Sequence, residues 1–268
     1  MADEIDYKLI GDDLQAVIIT LDPGEMCIAE AGAMMYMQDG IMMNTTLDPN
    51  ATGAGLMGKL FAGAKRALSG NTFFITTFAN AANRRQDVAF SSHFPGKIRP
   101  VDLREWNGEI IAQKDCFLVA ARGIEVSIAF TKRIGAGFFG GEGFILQRIQ
   151  GDGLAFLHVS GALQEVTLRP GETIKVDTGC LAAMENTVDY DIEMVPGIKT
   201  ALFGGEGLFF ARLTGPGRVL LQTMPFSRLA DHILAASSHV RHGGDHSVGR
   251  MGAAGIIGGV LGSMMDDR

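Results

Sequence analysis

Short apolar or alternating runs, separated by turn residues, follow one another along most of this chain. Thr173–Asp177 alternates polar and apolar side chains, which is typical of a half-buried β-strand. Residues 73–78 and 208–210 are mostly apolar, as expected of strands that are covered on both faces. The mixture predicts an all-β fold with half-buried outer strands and fully buried inner strands.

A strand, turn, strand pattern occurs three times. The apolar run 14–21 leads into the turn 22–25, where Pro presets one turn dihedral and Gly supplies a positive φ at the next position. Strands are predicted after this turn at Met26–Glu30 and 33–37. The same order returns as 98–103, 107–109, 110–114 and 116–121, and again as Leu163–Leu168, 169–172, Thr173–Asp177 and 180–185.

A sequence repeat accompanies this pattern. Residues 139–158 align with 203–222 at an offset of 64, with nine identities among 20 positions and the shared start Phe-Gly-Gly-Glu-Gly. A degraded third copy at 69–75 has Asn71 in place of the glutamate. We therefore predict three units, about 8–92, 93–160 and 161–226, built by triplication of one β motif.

Two segments interrupt the β pattern. Residues 51–69 belong to the first unit only, and Leu56, Leu60 and Phe61 recur there at helical spacing. Ser227 is predicted to cap a C-terminal helix, which gives way to a tail rich in Gly, His and Met. The predicted domains are one β core over 1–226, with the helical insertion at 51–69, and a helix with its tail over 227–268.

Composition and charge narrow the classes of function that we expect for this chain. The net charge of -7 argues against nucleic-acid binding, which needs a concentrated Lys/Arg surface. Three cysteines without CxxC spacing fit a reducing compartment, and the acidic N-terminus shows no signal peptide. The longest uncharged apolar run, 251–265, is short and glycine-rich for a membrane span. We expect a cytoplasmic protein that could also be peripheral to a membrane.

Several long motifs resemble the family named after altered inheritance of mitochondria. The motifs are residues 55–60, 65–74, 176–182, 187–191, 199–207, 213–219 and 221–223. The resemblance spans about 8–226 and implies a fold akin to the tryptophan-RNA-attenuation-protein group. It implies three β-sandwich-like units around a pseudo-threefold axis, as in a short double-stranded β-helix. The family offers no catalytic residues to carry over, and Asn71 departs from the Glu that it often has there.

The Gly-Gly-Glu-Gly element is a candidate site at the seams between units. A phosphate loop would need a following helix, whereas the apolar residues after both copies predict strands. The structural alternative is a turn where the backbone passes close to a neighbouring unit. Glu142 and Glu206, with Asn71 at the third position, could converge as an inter-unit site, or could accept backbone N–H bonds within their turns.

Histidines offer a second candidate. In the β core only His93 and His158 occur, in different units and without a His-x-His pair, which disfavours a cupin-type metal site. His239, His242 and His246 have spacing that could hold a metal, but the glycines among them favour a solvated tail. We predict no catalytic residue, no cofactor and no firm metal site.

Two glycine-rich apolar segments are candidates for membrane or partner contact. Leu56, Leu60 and Phe61 form the apolar side of a small basic helix, and Gly255, Gly259 and Gly262 give the tail small-xxx-small spacing. The alternatives are a helix packed on its own β core and a disordered tail.

These observations predict a non-enzymatic structural or interaction protein that self-associates and contacts a membrane surface or a membrane-protein partner. The alternative is a small-ligand or sugar-binding module with a groove between β units. A third hypothesis is a metal-dependent enzyme on a cupin-like core.

Overall fold

A computed structural model describes residues 2–46, 75–132, 144–194 and 209–240. The chain divides into two units, Met1–Leu229 and Ala230–Arg268. The described residues form nineteen strands and one α-helix. The strands are β1 (Asp6–Ile10), β2 (Ala16–Leu21), β3 (Met26–Glu30), β4 (Met34–Met37), β5 (Ile41–Thr46), β6 (Ile75–Asn80), β7 (Gln86–Ser91), β8 (Gly96–Asp102), β9 (Glu109–Gln113), β10 (Phe117–Ala121), β11 (Glu125–Lys132), β12 (Phe144–Gln150), β13 (Leu154–Ser160), β14 (Leu163–Leu168), β15 (Thr173–Asp177), β16 (Leu181–Glu185), β17 (Asp189–Met194), β18 (Phe209–Thr214) and β19 (Gly217–Gln222), and the helix is α1 (Phe226–Val240).

The strands form four antiparallel sheets, which confirms the predicted all-β class. Sheet 1 has the order β1-β2-β7-β4, and sheet 2 has the order β5-β6-β3-β10-β13-β8. Sheet 3 has the order β11-β12-β9-β16-β19-β14, and sheet 4 has the order β15-β18-β17. Each sheet therefore mixes hairpin neighbours with strands that are distant in the sequence.

Turn chemistry shapes the connections as predicted. The backbone N–H of Asp22 donates to the Glu25 carboxylate at 2.7 Å. Gly24 between them has a φ of 86°, a conformation that glycine adopts without steric cost. The turn 169–172 makes the same bond at 2.9 Å. These bonds satisfy backbone donors that the strands leave free at their ends.

Predicted and observed elements agree closely in place. The predictions Met26–Glu30, Leu163–Leu168 and Thr173–Asp177 coincide residue for residue with β3, β14 and β15. The prediction that Ser227 caps the C-terminal helix is wrong, because α1 begins at Phe226 and Ser227 lies in its first turn. Pro225 precedes the helix, and its carbonyl accepts the N–H of Arg228 at 3.0 Å.

Two long-range ladders join successive groups of strands. β3 pairs with β10, where Ala29 lies opposite Val119. β9 pairs with β16, where Ala112 lies opposite Ala183. All five residues of β10 are buried, so this strand is covered on both faces and both edges.

Apolar side chains from the sheets form two clusters. One contains the aromatic residues Phe78, Phe90, Trp106 and Phe156. The other is built from strands β9, β12 and β14–β19, with Phe144 among its fully buried side chains. The large buried area supplies the main stabilising free energy of the β core.

Candidate functional site

Most site residues predicted from the sequence lie outside the described residues. These are Asn71, Glu142 and Glu206 at the predicted inter-unit site, Leu56, Leu60 and Phe61 in the insertion, and His242, His246, Gly255, Gly259 and Gly262 in the tail. His239 belongs to α1, of which only the backbone is described at that position. Their predicted roles stay predictions.

Neither a metal-binding cluster nor a membrane-crossing helix is present in the part of the chain that the structure describes. No group of three or more His, Cys, Asp or Glu side chains there could hold a metal ion. No helix within the same residues has the length and apolar character needed to cross a membrane.

The most distinctive exposed apolar residues lie on β4, an end strand of sheet 1, and on β5, an end strand of sheet 2, which follow each other along the chain. On β4 the exposed fractions are 48% for Met35, 40% for Tyr36 and 38% for Met37. On β5 they are 57% for Met42 and 47% for Met43. We call these five residues the apolar edge. Five exposed apolar side chains within nine successive positions differ from the single scattered ones that are usual on protein surfaces.

Backbone geometry makes this surface suited to binding. β4 is an end strand of sheet 1, so one row of its N–H and C=O groups has no strand partner among residues 2–46, 75–132, 144–194 and 209–240. None of its four residues is charged or a proline, the residue types that usually protect an edge strand from further pairing. Methionine side chains are flexible and polarisable, and they adapt to a partner surface.

Among the described residues β15 is an end strand of sheet 4, and it carries the charged residues Lys175 and Asp177, which protect an edge from further pairing. Val176 is buried, whereas Thr173 and Lys175 are exposed. The ammonium of Lys175 lies 2.8 Å from the Glu193 carboxylate on β17. Such an exposed ion pair contributes little to stability.

A cleft of about 440 Å³ opens between sheet 1 and the start of β8. Ile10 and Leu14 supply apolar walls, and Gln15, Ser92 and His93 supply polar groups. The Gln15 side chain is already engaged, because its carbonyl accepts the backbone N–H of Ile98 at 2.8 Å. The volume falls in the range of small-molecule sites.

A buried histidine lies behind this cleft. His158 on β13 is 1% exposed, and neither ring nitrogen has a hydrogen-bond partner among the described residues. Its ring packs edge-on against Phe94, with centroids 4.6 Å apart. Burial, and to a smaller extent the neighbouring charge of His93, together lower the pKa of His158 to about 4. The imidazole is therefore neutral at physiological pH.

Glu30, at the end of β3, is a second perturbed group. Burial raises the pKa of its carboxyl group to about 7, the nearby charge of Asp115 raises it as well, and Lys114 acts in the opposite direction. Burial disfavours the charged carboxylate because low-polarity surroundings solvate it poorly. Glu30 therefore carries a proton for part of the time near neutral pH.

Only weak signs of these sites are visible in the residue pattern. The apolar run 33–37 was predicted as a strand, but its pattern does not show which strands would cover it. His93 and His158 were placed in different units, and the structure brings the two side chains close enough for their charges to interact. The continuous Met-Met-Tyr-Met of β4 was the one signal for an adaptable surface.

Comparisons with known proteins bear on this geometry. The family model described as "Mitochondrial biogenesis AIM24" matches residues 7–224. The chain belongs to this family. The match covers all four sheets of the described β core and confirms the resemblance seen in the sequence motifs.

Two relatives of this AIM24 family member come from Streptococcus pyogenes. An uncharacterized protein of serotype M6 is 27% identical over 216 residues, covering 80% of this chain and 83% of the relative. A crystal structure of an S. pyogenes protein superposes with a TM-score of 0.68 at 22% identity, covering 87% of this chain and 100% of that one. At this identity the structural likeness shows the fold alone.

Proposed function

We propose that this AIM24 family member is a structural or interaction protein that self-associates, and that its work is binding rather than catalysis. The apolar edge carries the proposal, because its five exposed Met and Tyr side chains belong to β4 and β5, which are end strands of their sheets among the described residues. An edge strand with these properties is a template for pairing with another chain.

The proposal includes a modular construction of the β core. The order of pairing within β2-β7-β4 is the same as within β8-β13-β10 and β14-β19-β16. The orders β5-β6-β3, β11-β12-β9 and β17-β18-β15 correspond in the same way. These correspondences support three copies of one motif. A pseudo-threefold axis relating the copies stays a prediction from the sequence and the family resemblance.

Sedimentation velocity tests the self-association. We expect the weight-average sedimentation coefficient of the full chain to rise with concentration. Met35→Lys with Met37→Lys should keep the protein monomeric and leave its melting temperature nearly unchanged, because both side chains are exposed in the single chain. Met224→Lys is the matched control, since Met224 is 38% exposed like Met37. A monomeric wild type at all concentrations would overturn the proposal.

Membrane contact is the second part of the proposal. Its support is the composition of residues 51–69 and of the tail, which lie outside the described residues. Flotation with liposomes containing anionic lipid compares the full chain with a version lacking 51–69 and 240–268. We expect only the full chain to float; equal failure to float would remove the membrane from the proposal.

A second candidate function, small-ligand or sugar binding, is favoured by the cleft between sheet 1 and β8. Its polar and apolar lining suits a small polar molecule. Native mass spectrometry of gently purified protein should show a bound small molecule that Ser92→Trp, which fills the cleft, displaces. If the wild type and Ser92→Trp carry the same added mass, or if neither carries any bound molecule, this candidate is wrong.

A further inference from the structure

We propose that His158 and Glu30 form a proton-linked pair across β10. The amides of Gln222 and Gln113, which are hydrogen-bonded to each other, occupy the equivalent positions across β16. The inference goes beyond the proposed function, because it concerns a single chain and does not depend on self-association. It follows from the matching registers of the ladders on both sides of β10 and β16.

Register makes His158 the counterpart of Gln222. The pairing of β10 with β13 and the pairing of β16 with β19 both contain a register shift, which begins at Leu157 in β13 and at Leu221 in β19. The next residue along the strand is His158 in β13 and Gln222 in β19. The two residues are also 64 positions apart, which is the offset of the sequence repeat.

The same ladders make Glu30 the counterpart of Gln113. The first residue of β10 that pairs after the shift lies opposite Ala29 of β3. The first residue of β16 that pairs after its shift lies opposite Ala112 of β9. The next residue is Glu30 in β3 and Gln113 in β9. Each pair therefore has one member on either side of the strand that separates them.

The amide pair across β16 shows how such a position is satisfied. Nε2 of Gln222 donates to Oε1 of Gln113 at 3.2 Å and to the Gly179 carbonyl at 2.8 Å. Its Oε1 accepts the backbone N–H of Ser160 at 2.9 Å. Amide side chains do not titrate, so these bonds are the same at every pH at which the protein is folded.

Titratable residues take all of these places around β10. Asp115 is the central residue of the short turn before β10, as Gly179 is of the turn before β16. His93 takes the place of Ser160, since each is the third residue after the start of the register shift in its own ladder. The pair across β10 is therefore the ionisable version of the amide pair.

Contacts agree with this placement. Nε2 of His93 lies 3.0 Å from the position that a Cβ on Gly32 would take, so its imidazole rests against the turn that follows Glu30. The strand that carries His158, β13, contacts the turn before β10. The side chains of β3, β13 and this turn thus meet around one buried place.

The ionisable groups beside the pair come from two further elements. The turn before β10 supplies Lys114, Asp115 and Cys116. Asp115 raises the pKa of Glu30 in addition to burial, and Lys114 lowers it. Burial, Asp115 and Glu30 all raise the pKa of the Cys116 thiol, which stays protonated. The connection between β7 and β8 supplies His93, whose charge adds to burial in lowering the pKa of His158.

The pair holds one proton between about pH 4 and 7. Burial raises the pKa of the Glu30 carboxyl group to about 7 and lowers the pKa of the His158 imidazole to about 4. Glu30 is therefore the protonated partner, and its O–H can donate to the unprotonated nitrogen of a neutral imidazole. Neither ring nitrogen of His158 has a hydrogen-bond partner among the described residues, so the acceptor nitrogen is available to Glu30.

Unfolding moves this proton from one partner to the other. With ordinary pKa values of 6.5 for His158 and 4.5 for Glu30, the unfolded chain carries the proton on the histidine between these pH values. The folded and unfolded chains then bind equal numbers of protons, and the pair leaves stability independent of pH in this range. Above about pH 7 Glu30 ionises in a buried place, which weakens the ladder between β3 and β10.

Nitrogen-15 NMR of the histidine side chains in the full chain tests the pair. The ring nitrogen shifts of His158 should change with a midpoint near pH 7, as Glu30 ionises, without reaching the values of an imidazolium. Glu30→Gln should remove this transition, because an amide does not titrate. His93→Gln should leave it in place, and so should Asp12→Asn at an exposed position. Identical His158 profiles in the wild type and Glu30→Gln would overturn the proposal, as would a transition that only His93→Gln removes.

The double variant Glu30→Gln with His158→Gln gives a second measurement, because it places two amides across β10 as they occur across β16. Its urea unfolding midpoint at pH 5.5 should exceed the value expected from adding the changes of the two single variants. Additive changes would show that the two side chains act independently and would contradict the pair. Both measurements report on a single chain, so a failure of self-association would not alter them.

Hydrogen exchange tests the effect on the ladder. After correction for the intrinsic exchange rates, amides of β3 and β10 should lose protection above pH 7 relative to those of β9 and β16. Glu30→Gln should abolish this difference. Equal changes in both ladders of the wild type would contradict a pH-dependent junction at β10.

Discussion

Phe94 and His158 pack edge to face, with ring centroids 4.6 Å apart and planes inclined at 72°. His158 lies on β13, and Phe94 lies between β7 and β8. Phe94 also stacks on Phe226, with centroids 5.4 Å apart. The contact closes the space around a histidine that has no hydrogen-bond partner among the described residues. In this closed space the protonated imidazole of His158 is poorly solvated, so protonation lowers the stability of the folded protein.

Acid should destabilise the fold through His158. Its pKa is lowered from 6.5 to about 4 in the folded protein, so between these values the unfolded chain binds more protons. The free energy of unfolding should therefore fall as pH drops from about 6.5 toward 4, by up to about 3 kcal/mol from this group. Urea unfolding across this pH range should show a smaller loss in His158→Gln than in the wild type.

His232→Gln provides the control for that comparison, because His232 is exposed on α1. It should keep the wild-type pH dependence. Identical pH profiles for the wild type and His158→Gln would mean that His158 does not carry the effect.

Glu30 should act in the opposite direction. Its pKa is raised from 4.5 to about 7, so the folded protein binds the extra proton and stability from this group is lost as pH rises from about 4.5 through 7. Glu30→Gln should unfold at higher urea than the wild type at pH 8, by roughly 1–3 kcal/mol, and should lose that advantage near pH 4. Asp12→Asn, at an exposed position, should change little at either pH.

Gln222 on β19 should stabilise the fold through its hydrogen bonds to Ser160 on β13 and to Gly179. Its amide nitrogen donates to the Gly179 carbonyl at 2.8 Å, and its carbonyl accepts the Ser160 N–H at 2.9 Å. Gln222→Met keeps the volume but leaves these buried groups without this partner, which should cost about 2–4 kcal/mol. Gln164→Met on the exposed side of β14 should cost under about 0.5 kcal/mol. Equal costs would contradict the role of the buried amide.

Arg218 on β19 should stabilise the contacts of this strand with Trp106, which follows β8, and with Glu185 on β16. Its guanidinium carbon lies 3.9 Å from the centroid of the Trp106 ring, and its side chain lies 2.7 Å from the Glu185 carboxylate, which is 12% exposed. Arg218→Met should lower the free energy of unfolding by about 1–3 kcal/mol, since it removes the partner of a mostly buried charge.

Trp106 is the single tryptophan of the chain, so its fluorescence reports both the unfolding and the local change. Arg218→Met should alter the native emission, whereas Arg104→Met, which removes an exposed ion pair with Asp102, should not change stability measurably. An unchanged unfolding midpoint in Arg218→Met would show that the stacked pair contributes nothing.

The sequence predicted local structure well because local chemistry determines it. The turns at 22–25 and 169–172 need Pro, Gly and Glu at set positions, and the strands beside them alternate visibly. Long-range pairing is different. The apolar run of β4 resembles that of β10, yet one is exposed and the other buried, because only β10 has strand partners on both edges. Residue patterns carry no information on which edge is left open.

The candidate cleft was hidden from the sequence for a similar reason. His93 and His158 are separated by 65 positions and show no metal-ligand spacing. Their proximity depends on how β7 and β13 end near the start of β8, which is set by sheet order. The predicted sites at Glu142, Glu206 and Asn71 stay predictions.

Hydrogen–deuterium exchange measured at several protein concentrations tests the central claim most directly. Backbone amides of β4 should become more protected as concentration rises, while those of the edge strands β1 and β14 should not change. Met35→Lys with Met37→Lys should abolish this change. Equal exchange of β4 at low and high concentration, in a wild type that sediments as an oligomer, would contradict association through this edge.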